Sequence, residues 1–412
     1  MAKKTRIIVI NRLLITAIAL LFGLSFAAGS ALGEVKISGY VKFDLLWDLE
    51  QQDGGGTWGD KAPGLDGSAA AATDGSFNMH ARQSRITFTS AHDSPMGKIT
   101  TLIQGDFFGA GGNEAISNSN TFRERHLWIG LGKNWNFGVF WGLAMAGLEY
   151  FPETLDFAGS AGEPFIRQAQ IRYTMPMGAN KLQISLENPF SLVFGNNNLA
   201  DTGLFVNAAT SKPTLPDLHA HYQLGMGGGS KLGFIFSNYR VRMVNIQVTG
   251  TSLDEEVTGN SLAVYGKFGI GGKNNVKFYV IGGQPGRFCL LCFGGTMGGG
   301  NAVVLDDPND GVAGGTLETL DGMGIMLNGQ FWVSDTSRVT VAFGQATIDW
   351  PSPLDTAGRV ETWTTIHLNY ITNVSKSTKI GVEYMTKAIE LNDDAASEGS
   401  NSRIQFSVQA GF

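Results

Sequence analysis

Six arginines lie between residues 80 and 175 of the 412-residue chain: Arg82, Arg85, Arg123, Arg125, Arg167 and Arg172. A guanidinium keeps its charge at any ordinary pH and grips a carboxylate through two parallel hydrogen bonds, so such a cluster is chemistry for small anions. Among them runs the segment 145–165, which carries Glu149, Glu153 and Asp156 together with Leu148, Tyr150, Phe151, Leu155 and Phe157. A loop this apolar is not expected to lie in water. Folded against a wall, it would bury its rings and bring three acids opposite the arginines, as a charged constriction or as a rigid, neutral network. His219 and His221 follow Asp217; on a strand, the i, i+2 spacing puts both rings on one face, where they would hold a metal or simply line a wet surface. The wet surface is the simpler reading, and neither a metal nor a cofactor is expected. Cys289 and Cys292 are the only cysteines. They lack the context of a redox motif, which leaves a small loop-closing disulfide first and free thiols second. No phosphate-binding loop, zinc-protease helix, serine-hydrolase elbow or calcium loop occurs; Pro308 spoils the only acidic run that approaches the last.

What must position these residues is legible in the alternation of the chain. From Arg403 to Phe412 apolar side chains hold the even positions up to Phe412, with Arg403, Gln405, Ser407 and Gln409 between them. The same period of two recurs at Val35–Leu45, Leu182–Leu186, Val276–Val280 and Ile380–Tyr384, which is the pattern of a β-strand with one greasy and one polar face. Only 16% of residues are charged and 56 are glycine, against about 25% charged in an ordinary soluble domain. Acidic residues outnumber basic ones, 36 to 30, which argues against a nucleic-acid face. Residues 1–33 read as a secretory signal peptide: Lys3, Lys4, Arg6 and Arg12, then the apolar run Leu13–Ala28, then Ala31-Leu32-Gly33. The run is shorter than the ~20 residues of a spanning helix, and nothing later is long enough either. An exported chain of alternating strands is a free periplasmic protein or a closed barrel in an outer membrane.

Connection lengths favour the barrel. Short turns at 94–97, 132–136, 175–180, 225–230, 269–274, 334–337 and 372–377 alternate with long polar loops at 51–77, 109–121, 145–165, 190–215, 249–258, 284–319, 347–360 and 389–400. Outer-membrane barrels have this layout. With both ends on the short-turn side, residues 34–412 give an all-β, transmembrane antiparallel β-barrel of about 16 strands; shifted boundaries would make it fourteen or eighteen. A sheet of that size encloses water rather than side chains. Trp47, Tyr40, Trp128, Trp135, Phe137, Trp141, Trp332, Tyr370 and Phe412 fall near strand ends, as an interfacial girdle would. The acidic runs 254–256, 306–310 and 392–394 fall in outer loops, as solvated tips or as divalent-ion bridges to lipopolysaccharide.

Gly105-Asp106-Phe107-Phe108-Gly109, Arg123-Glu124-Arg125-His126, Pro152–Gly159, Ile166–Thr174, Glu187-Asn188-Pro189 and Leu215-Pro216-Asp217, with Ser38–Lys42 and Phe331–Ser334, resemble the DcaP-like outer-membrane porins. The resemblance is densest over 36–190 and weak over 190–320. It implies a trimeric, sixteen-strand channel in a Gram-negative outer membrane, with a constriction that favours small anions such as dicarboxylates. The N-terminal coiled coil of some members has no counterpart in residues that begin the first strand so soon after Gly33. A terminal Phe after an alternating strand also matches what such proteins present to their assembly machinery.

Parity then sorts the arginines. Arg172 shares the lumen side with Gln168 and Gln170, and Arg85 opposes Ile86 and Phe88. Arg123 and Arg125 share parity with Leu127 and Ile129, which places them above the membrane or calls for a bulge that flips the register. Arg82 and Arg167 pose the same question. His126, His219, His221 and His367 take lumen parity. The leading expectation is a non-enzymatic diffusion channel for small hydrophilic solutes that prefers anions, in spite of the acidic composition, because selectivity is local to the narrowest section. A barrel hydrolase using His219, His221 and Asp217, or a structural or adhesive surface protein, are the alternatives.

Overall fold

The computed structural model describes residues 34–50, 63–68, 74–190, 193–195, 211–248, 251–288, 300–305, 316–352, 354, 358–393 and 397–412. The expected signal peptide and the Cys289/Cys292 pair lie outside these residues, as does the acidic run 306–310.

The alternating segments form strands β1 (Lys36–Glu50), β2 (Asp74–His80), β3 (Arg85–Ser94), β4 (Gly97–Asn113), β5 (Ser119–Leu131), β6 (Trp135–Trp141), β7 (Arg167–Met177), β8 (Asn180–Glu187), β9 (Val193–Gly195) and β10 (Asp217–Gly225). They continue as β11 (Lys231–Val248), β12 (Thr251–Gly269), β13 (Asn275–Gly283), β14 (Ala302–Leu305), β15 (Thr316–Thr319), β16 (Asp321–Trp332), β17 (Ser337–Asp349), β18 (Val360–Asn373), β19 (Thr378–Leu391) and β20 (Glu398–Gly411). All but β9, β14 and β15 belong to one sheet of antiparallel neighbours, and β1 pairs with β20 from Tyr40–Gly411 to Asp48–Arg403, so the sheet closes on itself. β2 and β3 share one edge of β1, the former along Asp44–Glu50 and the latter along Lys36–Tyr40. They are two halves of a single interrupted stave, which makes the described barrel sixteen-stranded, as the connection lengths predict.

The faces separate as the alternation requires. Val41, Phe43, Ile184, Leu186, Val382, Tyr384 and Phe406 are exposed on the outside, while Lys42, Asp44, Gln183, Ser185, Glu187, Glu383, Arg403, Gln405 and Ser407 are buried within. Among the described residues no helix is long and apolar enough to cross a membrane. A closed sheet that wears its apolar side chains outward satisfies its backbone groups internally and crosses with strands instead.

Two expected loops are mostly strand. β4 and β5 run on to Asn113 and Ser119 around a single helical turn, α1 (Glu114–Ser117), and β11 and β12 meet across residues 249–250. β11 and β12 are 18 and 19 residues long. A membrane strand needs about 9–11, so this hairpin stands well clear of the bilayer. Asp254 and Glu256 are therefore on a strand, ion-paired to Arg242 at 3.2 Å and Arg240 at 3.0 Å, and Glu255 accepts from the Leu317 amide at 2.7 Å. Polar, Gly-containing sequence looks like loop, but pairing to a neighbour lets such residues extend a hairpin into water. The girdle expectation also divides. Trp47, Trp135, Tyr370 and Phe412 are exposed outside, whereas Tyr40 and Trp141 face arginines inside.

The core lies in the lumen. Connection 142–166 folds inward, and Met145, Tyr150, Phe151, Ala158 and Ala161 pack on Tyr265, Tyr279, Met326, Ala346 and Trp363 of the wall. Its tip requires glycine on both sides: a Cβ at Gly344 would come within 2.1 Å of the Ala161 carbonyl, and one at Gly162 within 2.5 Å of the Ile325 carbonyl. A second layer nearer the outer mouth joins β9, β14 and β15; Val193, Ala302 and Leu317 pack there with Tyr239, Val241, Met243 and Phe288.

Candidate functional site

The inward loop is tied down through its own acids and backbone. Glu153 accepts from Nε and Nη2 of Arg338 (2.6 and 2.5 Å) and from the Lys379 ammonium (3.0 Å), and Asp156 pairs with Arg403 (2.9 Å), which forks onto Asp48 as well. Glu149, nearer the surface, reaches Lys231 at 3.1 Å. Lys277 donates to the Phe151 carbonyl at 2.8 Å, Lys42 to that of Leu155 at 2.7 Å, and the Glu383 carboxylate accepts the Leu155 and Asp156 amides. Burial alone would push the Glu153 carboxyl up, but Arg338 and Lys379 outweigh it and hold it down at about 2. All three predicted acids thus border the lumen, yet their charges are taken up by Lys231, Arg338, Lys379 and Arg403. Those four bases were missed in the sequence, although Arg338, Lys379 and Arg403 all have inward parity on their strands.

The arginines stand on the other side, and a bulge explains how. In the β4–β5 ladder Gln104 faces His126, but Gly105 faces Glu124, which leaves Arg125 as an extra residue. Successive residues Arg125 and His126 are then both buried, and parity flips between them. Of the two readings for Arg123 and Arg125, the flipped register is the one observed. Asp106, fully buried, accepts Nε and Nη2 of Arg123 at 2.9 Å each and Nη1 of Arg125 at 2.6 Å. Trp141 lies between Arg125 (5.4 Å) and Arg167 (4.8 Å), Phe157 of the loop lies under Arg123 and Arg125, and Arg85 lies over Tyr40 at 5.4 Å. Ring faces support cations without cancelling their charge. Among the described residues neither Arg85 nor Arg167 has a carboxylate within ion-pair distance.

Between the loop and this wall runs a cavity of about 420 Å³, bordered by Arg85, Arg125, Lys267 and Lys277 on the barrel side and by Glu149, Glu153, Asp156 and Glu163 on the loop. Glu163 is buried, and burial pushes its carboxyl up to about 8 against the opposing pull of the Ser160 amide and Lys277. It is uncharged at neutral pH. The three other acids are paired elsewhere, so the balance facing the cavity is positive. Arg82, Arg123, Arg167 and Arg172 do not border this cavity. Arg82 sits in the interruption between β2 and β3, where its carbonyl accepts the Phe107 amide. Arg172 turns along the wall to Gln170 and the Trp141 carbonyl, under Phe140.

The histidines are packed away from this space. His219 bonds Ser237 (2.8 Å) and His221 bonds Gln183 and Tyr265 (3.0 and 2.5 Å), both fully buried, while Asp217 is held by Arg287 at 2.8 Å. They form part of the seat of the turn Gly286–Phe288, whose Phe288 ring meets His219 edge-on.

The family model for the DcaP outer membrane protein matches residues 28–212. No curated protein sequence matches the chain. Among solved structures, the outer membrane channel DcaP of Acinetobacter baumannii superposes with a TM-score of 0.71 at 20% identity, covering 92% of this chain and 97% of that one. The anion-selective porin from Comamonas acidovorans gives 0.55 at 13% identity over 92% and 100%, and Salmonella typhi OmpF, solved with daunomycin, 0.57 at 11% over 92% and 98%. With its sixteen strands, apolar outer wall and inward loop, the chain has the fold of Gram-negative outer-membrane porins and is similar over residues 28–212 to the DcaP outer membrane proteins.

Proposed function

We propose that the chain is a passive, non-catalytic channel for small hydrophilic solutes that prefers small anions, dicarboxylates included. The observation that carries this is the asymmetry of the lumen: the loop acids are tied to Arg338, Lys379, Arg403 and Lys231, whereas Arg85, Arg167 and Lys267 sit beside rings or open space. A partly dehydrated solute at the narrowest section feels the nearest unneutralised charges far more than the acidic outer loops. The anion-selective Comamonas porin among the structural neighbours agrees with this reading. Residues 1–33 would direct export. The assembled form would be a homotrimer, as one structural neighbour, OmpT of Vibrio cholerae, is in its trimer form, with its outer rim against lipopolysaccharide.

The test is the zero-current potential of the purified protein in a planar bilayer under a potassium chloride gradient. Replacing Arg85 and Arg167 together by Ala should lower the chloride-to-potassium permeability ratio roughly two- to fivefold, the scale of the ~1 kcal/mol that a unit charge exerts at about 4 Å through water. Arg172→Ala should leave it unchanged. Equal ratios in wild type and double variant would remove the arginine wall as the source of selectivity.

A further inference from the structure

Stave two is broken at Ala81–Ser84, and hydrogen bonds to both neighbouring strands hold the break in place. The Ser84 amide donates to the Ala81 carbonyl (3.1 Å), the Phe107 amide of β4 to the Arg82 carbonyl (3.0 Å), and the Lys42 amide of β1 to the Ser84 hydroxyl (3.0 Å). The break carries Gln83 into the lumen opposite the loop. Two cavities meet there: the upper one beside the arginines and a lower one of about 260 Å³, and both are bordered by Tyr40, Gln83 and Thr154. Those three residues are the partition between the chambers.

We propose that Gln83, held by Lys42, sets the width of the channel and is its size filter, a role separate from the charge filter of the arginines. Lys42 springs from β1 and spends its ammonium on three acceptors: the Gln83 amide oxygen, the Leu155 carbonyl of the loop at 2.7 Å and Asp44 at 3.0 Å. Lysine has only donors, so the Gln83 atom it meets is the oxygen and the NH2 group is left for the solute. Lys42 is thereby a positioning residue that ties the loop to the broken stave and fixes the gap between them. The lower chamber adds no sign of its own, because Lys42 is paired with Asp44 and Lys379 with Glu153. A neutral amide at the partition discriminates by size and by the acceptor oxygens a solute can offer. The inference deepens the channel reading and rests on it.

Single-channel conductance in potassium chloride, liposome swelling with sugars of graded size, and the zero-current potential separate the two filters. Gln83→Ala should raise conductance roughly 1.5- to 2-fold and admit larger sugars, and Gln83→Trp should lower both, as the narrowest section dictates; neither should move the zero-current potential. Heat-modifiable mobility on a detergent gel verifies that each variant is folded. Unchanged conductance in both folded variants would overturn the proposal, as would a shift of potential in Gln83→Ala without a change in sugar cut-off. A wild type without anion preference, whose Gln83 variants still change conductance, would sink the charge reading and leave the size filter standing.

Discussion

Glu163 is a loop acid bordering the upper cavity whose charge depends on pH near neutrality. Burial holds its carboxyl at about 8. Below that value it is protonated and the cavity keeps its positive balance; above it a carboxylate appears near Lys277 and cancels part of that balance. The expected outcome is that anion preference in a bilayer falls as pH is taken from 7 to 9, and falls more in the wild type than in Glu163→Gln. Parallel profiles for the two proteins would count against the assignment. At this scale the sequence was legible wherever strict alternation holds. The inward parity of Arg85 and of Gln168, Gln170 and Arg172 was readable, and so was that of His219 and His221. Arg123 and Arg125 were not decidable, because one extra residue in β5 reverses every later side chain. Glu163 gave no signal, since its state comes from burial that only the folded loop creates.

The loop between β6 and β7 is the element on which the site depends. Its apolar content announced that it would leave water, and its acids announced charged partners; which partners was hidden, because Arg338, Lys379 and Arg403 come from strands more than 180 residues later. Arg403 is the most committed of them, fully buried and shared by Asp48 and Asp156. Arg403→Met would leave two buried carboxylates without their cation, a loss on the order of 3–5 kcal/mol. The expected result is a clearly lower Tm in detergent and a noisier open channel, as the loop loses its anchor at Asp156. An unaltered Tm with a quiet channel would show that Glu383 and Lys42 hold the loop unaided. The outer connections were the least legible elements: alternating polar residues of the β11–β12 hairpin look alike in water and in a sheet, and only pairing with a neighbour decides between them.

For the whole molecule, the sixteen staves, the apolar exterior and the wet interior all follow from a period of two and from alternating connection lengths, which are properties of the chain rather than of any one residue. The interrupted second stave is invisible to that reasoning, because β2 and β3 together occupy one place in the sheet. The barrel therefore has a lumen narrowed from two sides, by a folded-in loop carrying neutralised acids and by a wall carrying arginines. The central consequence of the proposed function is an open water path that favours anions. The zero-current potential of the unaltered channel across a planar bilayer, under a roughly tenfold gradient of potassium chloride (about 59 mV for a perfectly selective monovalent pore), reads that consequence directly. The account predicts step-like conductance with chloride carrying most of the current; a potassium-selective current, or a folded barrel that passes none, would contradict it.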